Sequence, residues 1–402
     1  MRTTLFLVIA CLSLFSQLPP ARATGSQCKS TEALTEFGRW FNPGIVVRVG
    51  ETKEISAPLN YFAKALRLQL RISGSIGDDS IIVLRDKDFH FLASFGLSDL
   101  PAPAPGSPLV IWTGNLPSDQ ISVEYRGNSS QAAISIDLAI ALPPSTTGQR
   151  VFSLQRAIPR WAPLYQSTLT QAKLVGDEVG LMVGGSPEEQ GSGVWCCSAV
   201  MLPGDMALTN WHCGGLPEQA HWTVESCAAT VFDFGWDDGN IRRQYSCSEV
   251  LISNERLDFA LISLTSVIGS GGIIGSPPFA IASDHEITND EPIFLVHHAL
   301  CEPKRVSSHC KVRNPLRAGW RSTSPPNPSE FTEFEHDCDT EPGASGAPAF
   351  DLDGRLIGLH HAGFNTGPGC VPDRANKAIK LSEIKAFIKN TRPDLTKRLN
   401  WE

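Results

Sequence analysis

Leu66, Leu68, Leu70 and Ile72 alternate with Arg67, Gln69 and Arg71. Successive strand side chains point to opposite faces, so a period of two predicts a strand with one buried face. Ile121, Val123 and Tyr125, then Ile134, Ile136 and Leu138, repeat the pattern. Gly74, Gly77-Asp78-Asp79 and the Pro-rich stretch 101–108 supply turns and a loop between them. This half of the chain reads as a small β-sandwich over residues 24–142. Beyond Lys173 short apolar runs recur at 175–183, 197–202, 206–209, 257–264, 293–296 and 355–359. Frequent Gly and Pro between them predict an all-β barrel architecture. Only near the end does the period lengthen. Leu381, Ile384, Phe387 and Ile388 share a helical face, with Ser382 as its candidate cap.

Other segments divide the chain further. Arg2, the apolar stretch from Leu5 to about Phe15, and Ala21-Arg22-Ala23 have the form of an export signal over residues 1–23. A lipoprotein signal ending at Cys11 is the alternative. Either reading places the protein outside the cytoplasm, secreted or periplasmic. No later stretch is long and apolar enough to span a bilayer. Pro143-Pro144-Ser145-Thr146-Thr147-Gly148 opens a linker or propeptide segment over 143–172. Residues 149 to about 175 read equally as a tether, a propeptide or a first wrap around the next domain. A second domain then covers 173–392, with a tail over 393–402.

Composition narrows the function. The chain has 402 residues, and a net charge of −8 with mixed signs argues against nucleic acid as a partner. Of eleven Cys, loss of Cys11 with the signal leaves an even set: Cys28, Cys196, Cys197, Cys213, Cys227, Cys247, Cys301, Cys310, Cys338 and Cys370. In an exported chain these read as disulfides. Cys227–Cys247 and Cys301–Cys310 are the simplest local pairs, Cys338–Cys370 would brace the segment between them, and Cys28 and Cys196 remain. His297-His298 and His360-His361 are adjacent pairs, which a strand sends to opposite faces, so no metal site is expected. No cofactor is expected either.

Three segments carry the chemistry: Leu208-Thr-Asn-Trp-His212-Cys213, Leu257-Asp258-Phe-Ala-Leu261 and Gly343-Ala-Ser345-Gly-Ala-Pro348. A serine hydroxyl is a poor nucleophile without a base. An imidazole can take its proton near neutral pH and return it to a leaving amine. A buried carboxylate fixes the imidazole tautomer. His212, Asp258 and Ser345 are the candidates for these roles. Glycines around Ser345 allow a sharp turn, and the Gly343–Ala344–Ser345 backbone is the candidate oxyanion hole. The chain order His, Asp, Ser separates this set from subtilisins and α/β-hydrolases.

With these segments the chain from about Val175 to Ile388 resembles the trypsin-like (chymotrypsin-like) serine peptidase superfamily, nearest to its bacterial glutamyl-endopeptidase-like branch, with lysyl endopeptidases as neighbours. The resemblance implies a double β-barrel with the site in the cleft. It also implies a Cys197–Cys213 disulfide, with Cys196 as the alternative partner. His360 and Thr340 match positions that line an acidic-residue pocket in the glutamyl branch, and Ile357-Gly-Leu-His-His-Ala-Gly363 resembles the strand along that pocket, which brings in His361 and Gly363. Glu341 and Asp373 are charges that would oppose an acidic substrate. Ala344 stands where trypsin has the aspartate that receives a new amino terminus, so activation by terminal insertion is not expected. The expected activity is that of a monomeric endopeptidase acting on peptide or protein substrates, cutting after Glu or Asp. An inactive binding protein on the same scaffold and an esterase are the alternatives.

Overall fold

The computed structural model describes residues 36–74, 79–96, 108–113, 116–128, 132–142, 161–185, 193–215, 221–236, 243–266, 279–319, 326–363 and 375–401. The export signal, Cys28, most of the linker, Cys370 and Asp373 lie outside them.

The amino-terminal unit is a sandwich. Strands β1 (Glu36–Phe41), β2 (Ile45–Arg48), β4 (Ala65–Ser73), β7 (Leu109–Trp112) and β9 (Ala133–Leu142) form one layer. β3 (Thr52–Ser56), β5 (Ile81–Asp86), β6 (Phe91–Gly96) and β8 (Gln120–Arg126) form the other. Leu66, Leu68, Leu70 and Ile72 are buried against Ile82, Leu84 and Ile121 of the facing layer. The period-of-two reading therefore holds on this face.

The other face of β4 departs from it. Arg67, expected at a solvent-facing position, is buried. Its strand packs on the next domain, where Arg67 Nη2 meets Asp233 Oδ2 at 3.0 Å.

The second unit is two closed six-stranded antiparallel barrels. In the first, β11 (Val179–Gly185), β14 (Val231–Asp233), β15 (Gln244–Asn254), β16 (Phe259–Ser266), β13 (Met206–Thr209) and β12 (Gly193–Leu202) follow in that order, and β11 pairs with β12 to close the ring. In the second, β18 (Arg305–Arg317), β17 (Pro292–His297), β20 (Pro348–Asp351), β21 (Leu356–Ala362), β22 (Asn376–Lys380) and β19 (Glu333–His336) close through β18 and β19. Closure removes the unpaired edges that an open sheet would expose. Between the barrels, Val200, Leu208 and Phe259 share a core with Phe294, Phe350 and Leu359.

The sandwich is joined to the first barrel edge to edge. β1 pairs with β12, Gly38 opposite Val194 and Arg39 opposite Gly193, so one sheet runs through both units. Residues 161–175 settle as a wrap around the second barrel. β10 (Trp161–Pro163) pairs with β18, and helix α1 (Thr170–Val175) follows, so the strand expected over 175–183 begins only at Val179. After the short α2 (Val224–Ala228), helix α3 (Leu381–Thr391) is the expected one, but its N-cap is Lys380 and not Ser382. The segment 393–402 contains a further helix, α4 (Pro393–Arg398), and Leu395, Leu399 and Trp401 are buried in the core shared by the barrels. Among the described residues no helix is long and apolar enough to cross a membrane.

Four disulfides are described: Cys196–Cys301, Cys197–Cys213, Cys227–Cys247 and Cys310–Cys338. Cys197–Cys213 and Cys227–Cys247 match the expectation. Cys301–Cys310 does not form. Cys301 lies in the turn after β17, while Cys310 stands further along β18 opposite Ile293, so strand pairing holds the two apart. Cys310 instead meets Cys338 just past the neighbouring β19, which also rules out Cys338–Cys370. Cys196 ties the first barrel to Cys301 of the second.

Candidate functional site

His212 follows β13 and starts a single 3-10 turn, His212–Gly214, anchored by the Cys197–Cys213 bond. Two contacts fix its ring. The His212 N–H donates to Asp258 Oδ1 at 2.9 Å, and Nδ1 lies 2.8 Å from Asp258 Oδ2. Asp258 is fully buried and adopts φ +43, a left-handed conformation that costs a non-glycine residue about 1 kcal/mol or more. Asn210 holds the carbonyl of that strained residue through Nδ2 at 2.8 Å. Burial raises the Asp258 pKa, but the charge and hydrogen bond of His212, with a second histidine, His361, outweigh it and hold the carboxyl well below its usual range. With Nδ1–H given to Asp258, Nε2 of His212 is the basic nitrogen. It is buried and makes no hydrogen bond among the described residues.

The Ser345 turn is set by two glycines. Gly343 has φ +96 and Gly346 has φ +81. A Cβ on Gly346 would stand 2.0 Å from the Ser198 carbonyl oxygen. The turn is clamped between the barrels. Ser198 of β12 donates its N–H to the Ser345 carbonyl at 2.7 Å and its Oγ–H to the Gly343 carbonyl at 2.9 Å. Gly346 N–H donates to the His360 carbonyl of β21, and His360 N–H to Ala347. Ser198 is a positioning residue that the sequence did not single out; its place directly after Cys197 was the available signal.

One oxyanion-hole candidate is corrected. The Ala344 N–H donates to the Glu341 carbonyl at 2.9 Å, within the turn itself. It is spent on local structure, which leaves the Gly343 and Ser345 N–H groups as the candidate donors.

The pocket candidates separate by face. His360 is buried, and its Nδ1 lies 3.2 Å from Nε2 of His336 on β19. Burial first, then neighbouring histidines, push the His360 pKa well below its usual value, and burial lowers His336 to about 3. Both rings are neutral. Thr340 Oγ1 accepts from Nδ2 of Asn376, which stands opposite His336 in the sheet, at 2.9 Å. The Gly363 carbonyl accepts from Lys377 Nζ at 3.2 Å. His361 does not belong with them. Strand alternation sends it to the opposite side of β21, where it is fully buried with Nδ1 3.1 Å from Asp258 Oδ2. Nothing local in the chain points to His336, whose partner His360 lies across the sheet.

The remaining histidine pair is also split. His297 Nε2 meets Ser307 Oγ at 2.9 Å, and His298 Nδ1 meets the Glu302 carbonyl oxygen at 2.9 Å. The Cys197, His212 and Cys213 group is closed to metal because both sulfurs are in a disulfide. Trp211 stacks on His221 at 3.9 Å between ring centroids.

Residues 191–359 match the family of trypsin-like peptidase domains. The barrel unit has the trypsin-like serine peptidase fold. Its activity class is that of a serine-type endopeptidase. The match spans both barrels from β12 to β21 and includes all three candidate triad residues. A comparison with curated proteins finds no match. Among solved structures, the chain is similar to the active form of the Rv3671c protease from M. tuberculosis, at 13% identity and a TM-score of 0.41, over 58% of this chain and 90% of that one. The inactive form of that protease aligns at 11% identity and a TM-score of 0.39, over 58% and 100%. The trypsin-like fold is carried by the family match and the two closed barrels, not by those distant likenesses.

Proposed function

We propose that this chain is an exported endopeptidase in which Ser345 is the nucleophile, His212 the general base and acid, and Asp258 the group that orients it. The reading is carried by the His212–Asp258 pair, bonded through both the ring and the main chain, and by its link through β21 to the glycine-flanked Ser345 turn: His361 meets Asp258, and the adjoining His360 carbonyl accepts from the Gly346 N–H. His212 Nε2 takes the Ser345 Oγ proton as Oγ bonds to the scissile carbonyl carbon. The carbonyl oxygen becomes an oxyanion, held by the Gly343 and Ser345 N–H groups. The tetrahedral centre collapses, the C–N bond breaks, and His212 returns the proton to the leaving amine. Water then hydrolyses the acyl-enzyme with the same base.

Support for cleavage after Glu or Asp comes from His360. If Nδ1 accepts from His336 Nε2–H, then Nε2–H of His360 is a neutral donor for a substrate carboxylate. A contrary observation favours Lys or Arg: Asp339 and Glu341, both buried, flank Thr340 on the serine turn.

The test is to incubate the purified exported protein with a proteome-derived peptide library and label it in parallel with a serine-directed phosphonate. Cuts after Glu and Asp support the acidic pocket, and cuts after Lys or Arg alone overturn it. Ser345→Ala is expected to lower turnover by at least about 10⁴-fold. Absence of labelling would favour a binding protein, and turnover of small esters but no peptide would favour an esterase.

A further inference from the structure

The buried side of β21 holds a group that the mechanism above leaves unused. Asp258 Oδ2 is approached by two imidazoles, His212 Nδ1 at 2.8 Å and His361 Nδ1 at 3.1 Å. On its far side, His361 Nε2 lies 3.5 Å from Glu333 Oε1 of β19. His361 and Asp258 are fully buried and Glu333 nearly so.

We propose that His361 is a permanently charged positioning residue, an imidazolium held between Asp258 and Glu333 that shares the Asp258 charge with His212 and so sets the pH at which His212 becomes a base. The inference rests on the triad reading above.

The geometry favours charge on His361: Nδ1 is at hydrogen-bond distance from Asp258, and Nε2, which makes no hydrogen bond among the described residues, stands 3.5 Å from the Glu333 carboxyl. An ionised carboxylate accepts hydrogen bonds and donates none, and His361 faces one on each side. A neutral ring can offer N–H to only one of them. Burial lowers the His361 pKa, but the Glu333 charge, with hydrogen bonding and charge from Asp258 and Glu333, raises it to about 10. Other ionisable groups around it do not supply a competing partner. His360 on its own strand points the opposite way, to the neutral ring of His336 on β19, and the Lys377 ammonium of β22 donates to the Gly363 carbonyl.

The consequence for His212 follows from Coulomb's law. A lone buried Asp258 would hold a proton on His212 strongly and delay its use as a base. A second cation beside Asp258 weakens that hold, and at this range and burial one charge is worth about one pH unit or more. The negative charge of Glu333, one residue further out, keeps His361 protonated.

Two measurements test this, both on the full chain. In ¹⁵N-histidine NMR of the wild type, His361 is expected to carry protons on both ring nitrogens from pH 5 to pH 9. A neutral His361 ring at pH 7 would overturn the proposal, whether or not the protein is a peptidase. The second is the pH dependence of phosphonate labelling at Ser345. His361→Asn keeps an N–H donor without the charge and is expected to move the acid limb upward by about one pH unit. The double variant His361→Asn/Glu333→Gln, which also removes the compensating anion, is expected to move it back toward wild type. A merely structural role would lower the labelling rate at every pH and leave the limb in place, and that result would also overturn the proposal. No labelling of the wild type at any pH would instead remove the peptidase reading, with the NMR result still deciding the charge on His361.

Discussion

Arg67 of the sandwich and Asp233 of the first barrel form an ion pair with both side chains buried, Nη2 to Oδ2 at 3.0 Å. The guanidinium also lies over the Trp236 ring at 4.6 Å, and its Nε donates to the Thr113 carbonyl. Gln244 bonds the Trp112 backbone in both directions beside it. Removing one partner of such a pair leaves an uncompensated buried charge. Arg67→Met is expected to cost about 3–5 kcal/mol, and Arg67→Met/Asp233→Asn to recover part of it. Denaturant midpoints check this. If the sandwich were a disposable propeptide, Arg67→Met would leave the stability of the barrels unchanged.

The Cys196–Cys301 bond spans 105 residues and joins the two barrels. Cross-linking so long a loop restricts the unfolded chain, a term of about 2–5 kcal/mol. A Cβ placed on Gly343 would meet Cys196 Sγ at 2.9 Å, so the disulfide also packs under the serine turn. Cys196→Ser/Cys301→Ser is therefore expected to lower both the denaturant midpoint and kcat. Cys227→Ser/Cys247→Ser, which removes the bond between α2 and β15 within the first barrel, is expected to lower the midpoint alone.

Gly346→Ala combines a φ of +81 with a Cβ 2.0 Å from a backbone oxygen of Ser198. Neither backbone can yield without moving Ser345 or β12. The expected result is a loss of at least about 10²-fold in kcat/KM, since small misplacements of reacting groups have costs on that scale. Peptide hydrolysis by the folded variant, with folding confirmed by circular dichroism, is the measurement.

Three buried groups, two histidines and one glutamate, give stability opposite slopes with pH. Burial lowers His297 and His336 to about 3, so between pH 6.5 and 3 the unfolded chain binds protons that the folded one does not. Their contribution is present above pH 6.5 and lost on acidification. Burial, with the nearby Asp177 charge, raises Glu178 to about 8. Its contribution is full below about pH 4.5 and declines as pH rises to 8. Glu178→Gln is expected to stabilise the protein by about 1–2 kcal/mol at pH 8 and to have no effect at pH 4. Thermal denaturation at the two pH values checks the sign.

Much of the fold was legible in the chain. Period-of-two runs marked the strands of the sandwich because one face of each packs on the facing layer. The helix at 381–391 was legible by its wider spacing. The boundary at 175–183 is blurred in the sequence because apolar residues of a short helix, Ala172 and Val175, are separated from the buried strand β11 only by the 3-10 turn Gly176–Glu178. Periodicity does not separate a short helical turn from a buried strand. Ser382 has the residue type of a cap, yet the chain enters the helix straight from β22 two residues earlier, with Lys380 as N-cap.

By itself the sequence determined the local conformations and which residues could do chemistry: the strand period, the glycines that Gly343 and Gly346 require, and the order His212, Asp258, Ser345. Those properties depend on near neighbours in the chain. Only the tertiary structure decided where Arg67 is buried, that Cys301 pairs with Cys196, that Ser198 clamps the serine turn, and that His361 turns to Asp258 while His360 turns to His336. Each of these is settled by which strand lies across the sheet or on the next barrel, and by the cost of burying a charge or a polar group without a partner there.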